Sequence, residues 1–445
     1  MKQEIRISDH FTYSRLLRFV MPAIAMMIFT SIYGVVDGFF VSNFVGKTPF
    51  AALNLVMPFI MILGGFGFVF GTGGSALVAK TLGEGKKELA NRYFTMILIA
   101  ATGTGVVLSV LGILFIRPIA VWMGASEEML KDCVIYGRVT IFFTTSFILQ
   151  NVFQSFLITA EKPHLGFLAT LAAGATNMIL DGLFIAVFHW GLAGAALATG
   201  LGQVVGAVIP IGYFVKDQHA RLRLVHTGLE RRPILLTVTN GASEFVNNIS
   251  MSLVGMLFNI QLMKFAGENG VAAYGVLMYV QFVFAAVFIG FSIGSAPIIS
   301  FHYGAGNHSE LNNMLKKSSV LMVISGVAMT ALAVVFAGPV AGIFVGYDPE
   351  LLTMTEHAFR LFALAFVFMG MGIFSSSLFT ALNNGLVSAV ISFLRTLVFQ
   401  VFCILALPLV LGIDGIWLSS VIAEALALAV SMGFLVANRK RYHYL

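Results

Sequence analysis

Apolar segments long enough to cross a lipid bilayer recur along the whole chain. Of the 445 residues, 58% are hydrophobic and only 10% are charged, whereas soluble domains carry roughly 25% charged residues. A helix needs about 20 apolar residues to cross the hydrocarbon core of a bilayer. No polar segment is large enough to form a soluble domain, so the sequence predicts an all-α membrane protein.

Charged breaks and breaks containing glycine or proline divide the chain into twelve predicted transmembrane helices. These helices lie near residues 15–43, 50–80, 91–116, 133–158, 164–188, 193–215, 233–264, 271–300, 313–336, 355–380, 385–410 and 414–437. The first is too long for the apolar region of a signal peptide, and no small-residue cleavage site follows it. We therefore expect it to be retained.

Lysine and arginine concentrate in alternate connections between these helices. The basic residues lie before helix 1, between helices 2 and 3, between helices 6 and 7, and after helix 12: Lys2, Arg6, Arg15, Arg18, Lys80, Lys86, Lys87, Arg92, Lys216, Arg221, Arg223, Arg231, Arg232, Arg439, Lys440 and Arg441. Basic connections stay in the cytoplasm, so both termini are expected there. The net charge of +6 follows from this bias and gives no reason to expect nucleic-acid binding.

The two halves of the chain repeat each other. "FAALNLVM" (50–57) aligns with "VAAYGVLM" (271–278) at an offset of 221 residues. The same offset pairs Phe44 with Phe265, Gly46 with Gly267, Gly83 with Gly304, Gly85 with Gly306, Thr159 with Thr380, Ala160 with Ala381, Gly191 with Gly412, Gly194 with Gly415, Leu197 with Leu418 and Gly212 with Gly433. Six helices per copy is an even number, so both copies enter the membrane in the same direction. The repeat predicts two parallel six-helix bundles, 1–221 and 222–445, related by a pseudo-two-fold axis and enclosing a central cavity.

One carboxylate, Asp37, lies in the otherwise apolar stretch "SIYGVVDGFFVSNF" (31–44). Counted from the outer helix ends, Asp37, Asp181 and Thr199 lie within a few Å of one level, with Asn151 about two turns deeper. Asn177 lies four residues before Asp181, on the same helix face. Oxygen ligands of these kinds suit Na⁺, and two neighbouring carboxylates can also hold a proton. We therefore predict a coupling-ion site that comprises Asp37, Asn151, Asn177, Asp181 and Thr199. If the ion is Na⁺, its ligands are Asp37, Asn177, Asp181 and Thr199.

The alternative is a structural cluster in which these polar groups hold helices together. Ionisable groups inside the membrane usually mark ion or substrate pathways. The repeat also argues against a structural role, because the equivalents of Asp37, Asn177 and Asp181 are apolar: Phe258, Val398 and Phe402. If these residues only held helices together, polar residues would be expected at the equivalent positions of the second half as well.

The second half has polar residues of its own. One face of helix 7 carries polar or small residues at helical spacing: Asn240, Glu244, Asn248, Ser252, Gly255 and Asn259. We expect this face to line the cavity, and we assign Glu244, Asn248 and Gln154 to the substrate site. Arg395 and Glu424 lie at similar depths in helices 11 and 12, and we interpret them as a structural ion pair.

Motifs for enzymes or metal centres carry little weight here. "GFSIG" (290–294) matches a nucleophile elbow but lies inside a membrane helix, and "GKT" (46–48) lacks the first glycine of a P-loop. Neither zinc-ligand spacing nor a disulfide pattern is present, since the only cysteines are Cys133, near an outer connection, and Cys403, in helix 11. Transport would therefore depend on an ion gradient or a partner protein. The 42 Phe and 21 Met residues include enough to line a cavity suited to flat hydrophobic cations.

Several stretches together resemble the multidrug and toxic compound extrusion family, in particular its MepA-like branch. They are Pro22 and Asp37 on helix 1, "GEGK" (83–86), "ATNMILDGLFI" (175–185) and "NGASEFVNNISMSLVGMLFNIQLMKFAGENGVAAYGV" (240–276). The resemblance covers the whole chain. It implies a V-shaped, monomeric, bacterial inner-membrane transporter that exports cationic drugs in exchange for Na⁺ or H⁺ and needs no cofactor. It also implies a family cation site at Asp37, Asn177, Asp181 and Thr199, with Asn151 close by.

The resemblance matches Glu244 to a helix 7 acid that part of the family uses. Some members also carry an acid on helix 10, where this chain has "MGMGIFSSSLF" (369–379). Two other functions remain open from the sequence: a flippase for lipid-linked precursors, and a membrane enzyme. A flippase of that type tends to have extra helices and a basic cavity, and an enzyme would need a reactive cluster at the membrane surface.

Overall fold

A computed structural model describes residues 5–216 and 221–444, which form helices and no strands. Lys2, one of the basic residues used to predict orientation, lies outside these ranges. The α-helices are α1 (Tyr13–Phe44), α2 (Lys47–Gly83), α3 (Lys87–Trp122), α4 (Glu127–Phe142), α5 (Thr144–Thr159), α6 (Pro163–Asp181), α7 (Gly191–Lys216), α8 (Arg231–Gly304), α9 (His308–Val345), α10 (Pro349–Phe362), α11 (Phe366–Ala381), α12 (Gly385–Phe393), α13 (Phe399–Ala406), α14 (Pro408–Leu411) and α15 (Ile413–Tyr442). Helical turns of other kinds join several of them: Gly182–Val187 and Leu394–Val398 are π-helical, and Ala363–Ala365 is 3₁₀.

Ten helices in the described ranges are long and apolar enough to cross a membrane. One of them, α8, has 74 residues and is broken at Gly267, where φ is 61° and ψ is −151°. It therefore contains two spans, which we call α8a (before Gly267) and α8b (after it). Helices α4 and α5 meet at 50° and together form another span. Counting both features gives the twelve spans that the sequence predicts.

The backbone repeats as the 221-residue offset predicts. Three pairs of equivalent glycines have positive φ in both copies: Gly46 (119°) and Gly267 (61°), Gly85 (78°) and Gly306 (67°), and Gly191 (59°) and Gly412 (60°). Glycine adopts this conformation without the penalty that a Cβ atom imposes. Each pair ends or begins a span, so the glycines fix the same sharp turns twice.

The first half contains two apolar clusters of its own, and a third cluster joins the second half to the beginning of the chain. Two apolar clusters are built almost entirely from residues 40–222, whereas the third combines the second half with the beginning of the chain and α1. In this third cluster, α1 crosses α8b where Gly290 and Gly294 lie against Ile24 and Val20. Small residues allow such close approach of membrane helices.

The equivalent crossing joins α2 to α8a. A methyl group added at Gly73 would lie 2.1 Å from the carbonyl oxygen of Thr237, and one at Gly241 would lie 2.1 Å from that of Val69. Val69 and Gly73 are the equivalents of Gly290 and Gly294 in the crossing above. The bundles therefore contact each other through two related crossings. Gly83 of α2 also lies against the backbone of α8b, at the carbonyl oxygen of Phe301. This contact lies at the end of the molecule where α2 joins α3, which we call the basic end.

The structure corrects some details of the predicted helices. The fourth span begins at Glu127 and not near residue 133, because Ser126 caps it by accepting a hydrogen bond from the N–H of Met129 (3.3 Å). Cys133 consequently lies inside α4 and is buried, not in a connection. Helices α3 and α9 also extend well beyond the ranges predicted for them.

Candidate functional site

The strongest candidate site lies inside the first bundle, where α1, α6 and α7 meet. The carboxylate of Asp37 lies next to the side chains of Asp181, Asn177 and Thr199. The amide of Asn177 donates a hydrogen bond to Oγ1 of Thr199 (3.3 Å). Asp37, Asn177 and Asp181 are all buried, with exposed fractions of 6%, 2% and 0%. Four of the five side chains predicted for the ion site therefore form one cluster, in which only Thr199 is partly exposed.

This cluster contains more hydrogen-bond acceptors than donors. Among the described residues, no donor reaches Oδ1 of Asp37, Oδ1 of Asn177 or either carboxylate oxygen of Asp181. Buried polar atoms are almost always hydrogen-bonded, and a buried charge is strongly unfavourable without a counter-charge. Oxygen atoms arranged in this way fit a bound Na⁺, or a proton shared between the two carboxylates.

Small residues and a widened helical turn hold the three helices in this arrangement. At Gly174 of α6, the absence of a side chain makes room for the rings of Phe29 and Tyr33 on α1. At Gly202 of α7, it lets α7 approach the backbone of Ala173 and the Cβ of Asn177. The π-helical turn Gly182–Val187 follows Asp181 directly; such turns occur frequently at functional sites.

Tyr136 of α4 adds a group that the sequence analysis did not identify. Its side chain is fully buried near both carboxylates and near Thr140. Its hydroxyl has no hydrogen-bond partner in the described ranges. A hydroxyl can donate to a carboxylate or accept from a protonated one. A single tyrosine in an apolar segment gives no sequence signal that separates it from packing residues.

The remaining residue of the predicted ion site, Asn151, has a different environment. Its amide lies 3.5 Å from the carbonyl oxygen of Gly64 on α2, and its Cβ lies against Gly67. Asn151 therefore contacts α2 from α5, and the described contacts do not join it to Asp37.

In the second bundle, Glu244 and Asn248 lie on α8a near the boundary with the first bundle. The amide of Asn248 donates to the backbone carbonyl of Glu244 (2.8 Å), and its side chain lies beside Gly65 of α2. The carboxylate of Glu244 is close to the amide of Asn247 and interacts electrostatically with Arg395. Both Glu244 and Asn248 are partly exposed, so α8a presents polar groups between the bundles.

Not every polar residue of this helix faces a cavity. Asn240 is buried and donates to Oδ1 of Asn383 (2.8 Å) within the second bundle. Ser243 is also buried, with its hydroxyl 3.5 Å from that of Thr380. The expectation that the whole face lines the cavity was wrong here, because the first turns of α8a pack against α11 and the connection after it.

Gln154 lies apart from Glu244 and Asn248. It is 5% exposed, and its amide lies 3.4 Å from Oγ1 of Thr170 on α6. The structure thus places Gln154 in the core of the first bundle, against α6.

Arg395 and Glu424 form an ion pair inside the second bundle. Nε of Arg395 donates to both carboxylate oxygens of Glu424, at 3.2 and 3.1 Å, and both side chains are buried. Gly372 of α11 gives them room, since a methyl group there would lie 3.0 Å from Cδ of Arg395. The second bundle thus neutralises Glu424 with a cation of its own.

The two bundles therefore carry different polar groups at positions that are equivalent in the repeat. Through the 221-residue offset, Gln203 is equivalent to Glu424 and Gly174 to Arg395. The first bundle holds two carboxylates, three of whose oxygens accept no hydrogen bond from the described residues, whereas the second holds a compensated pair. Within the described ranges, no group of three His, Cys, Asp or Glu residues could hold a metal ion.

Comparisons with known proteins agree with this architecture. The MatE family model matches the chain twice, at residues 22–183 and 245–405. A multidrug export protein MepA of Staphylococcus haemolyticus is 24% identical over 434 residues, covering 96% of this chain and 94% of that protein.

Two solved structures have the same fold over the full length of both chains, each with 22% sequence identity. They are a crystal structure of MATE in complex with MaL6 (TM-score 0.94) and an outward-facing conformation of a multidrug resistance MATE family transporter of the MOP superfamily (TM-score 0.93). Because the family model matches most of the chain, once in each six-helix repeat, this protein belongs to the MatE family of multidrug and toxic compound extrusion transporters.

Proposed function

We propose that this protein exports cationic amphipathic drugs from the cell in exchange for Na⁺ or H⁺. The buried Asp37 cluster, in which four acceptor oxygens find no donor among the described residues, is the observation that carries the proposal. A relative that covers nearly the whole chain is named as a multidrug export protein. Membership of a transporter family also argues against the membrane-enzyme alternative.

The coupling ion binds among Asp37, Asn177, Asp181 and Thr199. Bound there, Na⁺ or a proton neutralises negative charge that the protein otherwise leaves buried. A ligand shifts a conformational equilibrium only through its different affinities for the two states. Exchange follows if the cluster binds the ion more tightly in the state that releases the drug.

The drug binds between the bundles, with Glu244 and Asn248 on its second-bundle side. Glu244 is partly exposed, and its carboxylate supplies negative charge for a cationic group. Phe66 of α2 and Phe245 of α8a lie nearby, with ring centroids 5.0 Å apart across the same boundary. Aromatic faces attract cations, so these rings complement the carboxylate.

The basic end faces the cytoplasm, and both termini lie there. This orientation rests on the concentration of lysine and arginine in the connections at that end. The bundles are in close contact there, at Gly83 and at Gly304. The described conformation is therefore closed toward the cytoplasm, and the transport cycle requires these contacts to separate.

Reconstituted protein tests the proposal. Efflux of a fluorescent organic cation from proteoliposomes is measured while Na⁺ and pH gradients are imposed separately. We expect an inward-directed gradient of at least one of these ions to accelerate export. A rate that responds to neither gradient would rule out ion-coupled exchange.

A further inference from the structure

The described residues before α1, 5–12, run across the basic end and contact both bundles. At one end of this segment, the N–H of Phe11 donates to Oε1 of Glu310 on α9 (2.9 Å). Nδ1 of His10 lies 2.6 Å from the other oxygen of the same carboxylate. Glu310 is buried, with 4% of its surface exposed. Its carboxylate thus binds the segment through a backbone donor and a side chain at once.

The carbonyl group of Phe11 is bound as well. Nδ2 of Asn313 (2.9 Å) and Nζ of Lys317 (2.7 Å) both donate to it. Asn313 also donates to Oε1 of Glu310 (2.7 Å), so the three α9 side chains form one connected site. The side chain of Phe11 is fully buried in the apolar cluster of the second bundle. The second bundle thus binds the N–H, the carbonyl group and the side chain of Phe11.

The other end of the segment contacts the first bundle. The N–H of Ile7 donates to Oε1 of Glu161, in the connection between α5 and α6 (2.7 Å). Glu161 also forms an ion pair with Arg221, whose guanidinium lies over the ring of Phe301 on α8b (5.3 Å to the centroid). Ile7 is fully buried. The segment therefore links Glu161 of one bundle to Glu310 of the other.

The segment that precedes the second bundle is arranged reciprocally. Residues 221–230 run along α3 of the first bundle, where the N–H of Arg223 donates to Oδ1 of Asn91 and that of Val225 donates to Oγ1 of Thr95, both at 3.0 Å. Helices α3 and α9 are equivalent in the repeat, since Lys87 and His308 begin them 221 residues apart. Each bundle is thus held by the segment that precedes the first helix of the other bundle.

We propose that residues 5–12 are a conformational strap, which stabilises the state closed at the basic end through the Glu310 site. Opening this end moves α9 away from Glu161, and the strap spans both. One of its two attachments must therefore break before the bundles separate. The proposal goes beyond drug export, because it assigns control of one conformational step to residues outside the ion and drug sites.

Distances between spin labels test the strap directly. Cysteines for labelling replace Glu88 and Ser309, exposed residues at the equivalent beginnings of α3 and α9, in a protein lacking Cys133 and Cys403. Glu310→Ala removes the acceptor for Phe11, His10 and Asn313. We expect a longer distance to appear and its population, relative to the shorter one, to rise about tenfold, which is the effect of one hydrogen bond to a charged group. Glu310→Gln keeps an acceptor oxygen and should give a smaller rise.

A matched control is Glu84→Gln at the same end. Glu84 is exposed, and its ion pairs are with Lys86 (2.8 Å) and Lys80 (3.9 Å) of the first bundle itself, so the distance should stay unchanged. A label pair at Ser309 and Leu386, both in the second bundle, reports whether that bundle remains folded. If it does and Glu310→Ala leaves the Glu88–Ser309 distances as they are, the strap does not hold this end closed. The result is independent of which ion or drug is transported, so it is distinguishable from a failure of the proposed function.

Discussion

Gly83 and Gly304 contact opposite bundles through equivalent backbone atoms. A methyl group at Gly83 would lie 2.0 Å from the carbonyl oxygen of Phe301, and one at Gly304 would lie 2.0 Å from that of Lys80. Phe301 follows Lys80 by 221 residues, as Gly304 follows Gly83. The pseudo-two-fold axis therefore passes between these two glycines, at the basic end.

Alanine at Gly304 should force this contact apart. Because a backbone carbonyl occupies the space, we expect a loss of about 1–3 kcal/mol in the stability of the closed arrangement, as for overpacked cores. Thermal unfolding in detergent and the Glu88–Ser309 label distance measure the two consequences. Gly83→Ala should behave in the same way, because its contact is equivalent.

The control is another equivalent pair, Gly212 and Gly433. Both lie in helices, and an added methyl group would meet nothing within 4 Å at either. Alanine there should be neutral or stabilising by up to about 1 kcal/mol, since it favours the helix. If Gly304→Ala and Gly433→Ala have the same unfolding temperature and the same label distances, the close contact at Gly304 is not needed to stabilise the closed arrangement.

The repeat was predictable because the same crossings and turns are used twice. A contact at Gly83 and at Gly304 requires glycine in both copies, and so do the positive φ angles of Gly85 and Gly306. The break near Gly267 was predictable for the same reason. The residue at which α4 begins was not predictable, because apolar content alone does not mark Ser126 as the residue that caps the helix.

The clustering of Asp37, Asn177, Asp181 and Thr199 was predictable from the sequence, whereas the contacts of the strap were not. Asp37 and Asp181 are conspicuous because carboxylates are rare in apolar segments. Glu161 lies in a polar connection, where an acidic residue is ordinarily solvated. Glu310 lies in the first turn of α9, where an acidic residue is ordinarily near the positive end of the helix dipole. Only the folded chain shows that both bind backbone N–H groups of residues 5–12.

Membrane orientation is testable with single cysteines in a protein lacking Cys133 and Cys403. Cysteines that replace Lys86 and Arg441 should resist an impermeant thiol reagent in intact cells, and one that replaces Pro349 should react. All three positions are exposed, so permeabilised cells should label each of them. Reaction at Lys86 in intact cells would reverse the orientation.

The Arg395–Glu424 pair should be structural. Glu424→Leu alone leaves the buried Arg395 guanidinium without its hydrogen-bonded carboxylate, and we expect a loss of roughly 3–5 kcal/mol in unfolding free energy. The double variant Arg395→Met/Glu424→Leu removes both charges and should recover most of that loss. Thermal melts of the three proteins distinguish these cases. A double variant as unstable as the single one would mean that the charges stabilise the fold through other contacts.

Glu244 should determine the preference for cationic substrates. Glu244→Gln keeps the shape of the side chain and removes its charge, so export of cations should weaken more than export of neutral compounds. Efflux rates for one substrate of each kind give the comparison. Glu268→Gln, at an exposed acid at the beginning of α8b, is the control and should have no effect. An equal loss for both substrates in Glu244→Gln would indicate a structural role.

The carboxylate of Asp37 should couple transport to the ion. Asp37→Asn replaces it with a nearly isosteric amide that is easier to bury, so expression and fold should be retained. Without the charge, the cluster of Asn177, Asp181 and Thr199 loses the difference in ion affinity between conformations. Efflux driven by a Na⁺ or pH gradient should therefore fall at least about tenfold, corresponding to ~1.4 kcal/mol of lost coupling. Drug binding in detergent should persist and respond less to Na⁺ or pH.

Asp414→Asn provides the matched control for this substitution. Asp414 is an exposed aspartate whose Oδ1 lies 2.9 Å from Nε2 of His357, in the second bundle and far along the chain from the cluster. The Asp414→Asn variant should export drug at the native rate and with the native ion dependence, because the charge of Asp414 is solvated. If Asp37→Asn matches it in both respects, Asp37 does not bind the coupling ion, and the unpaired acceptors of the cluster then serve a structural purpose.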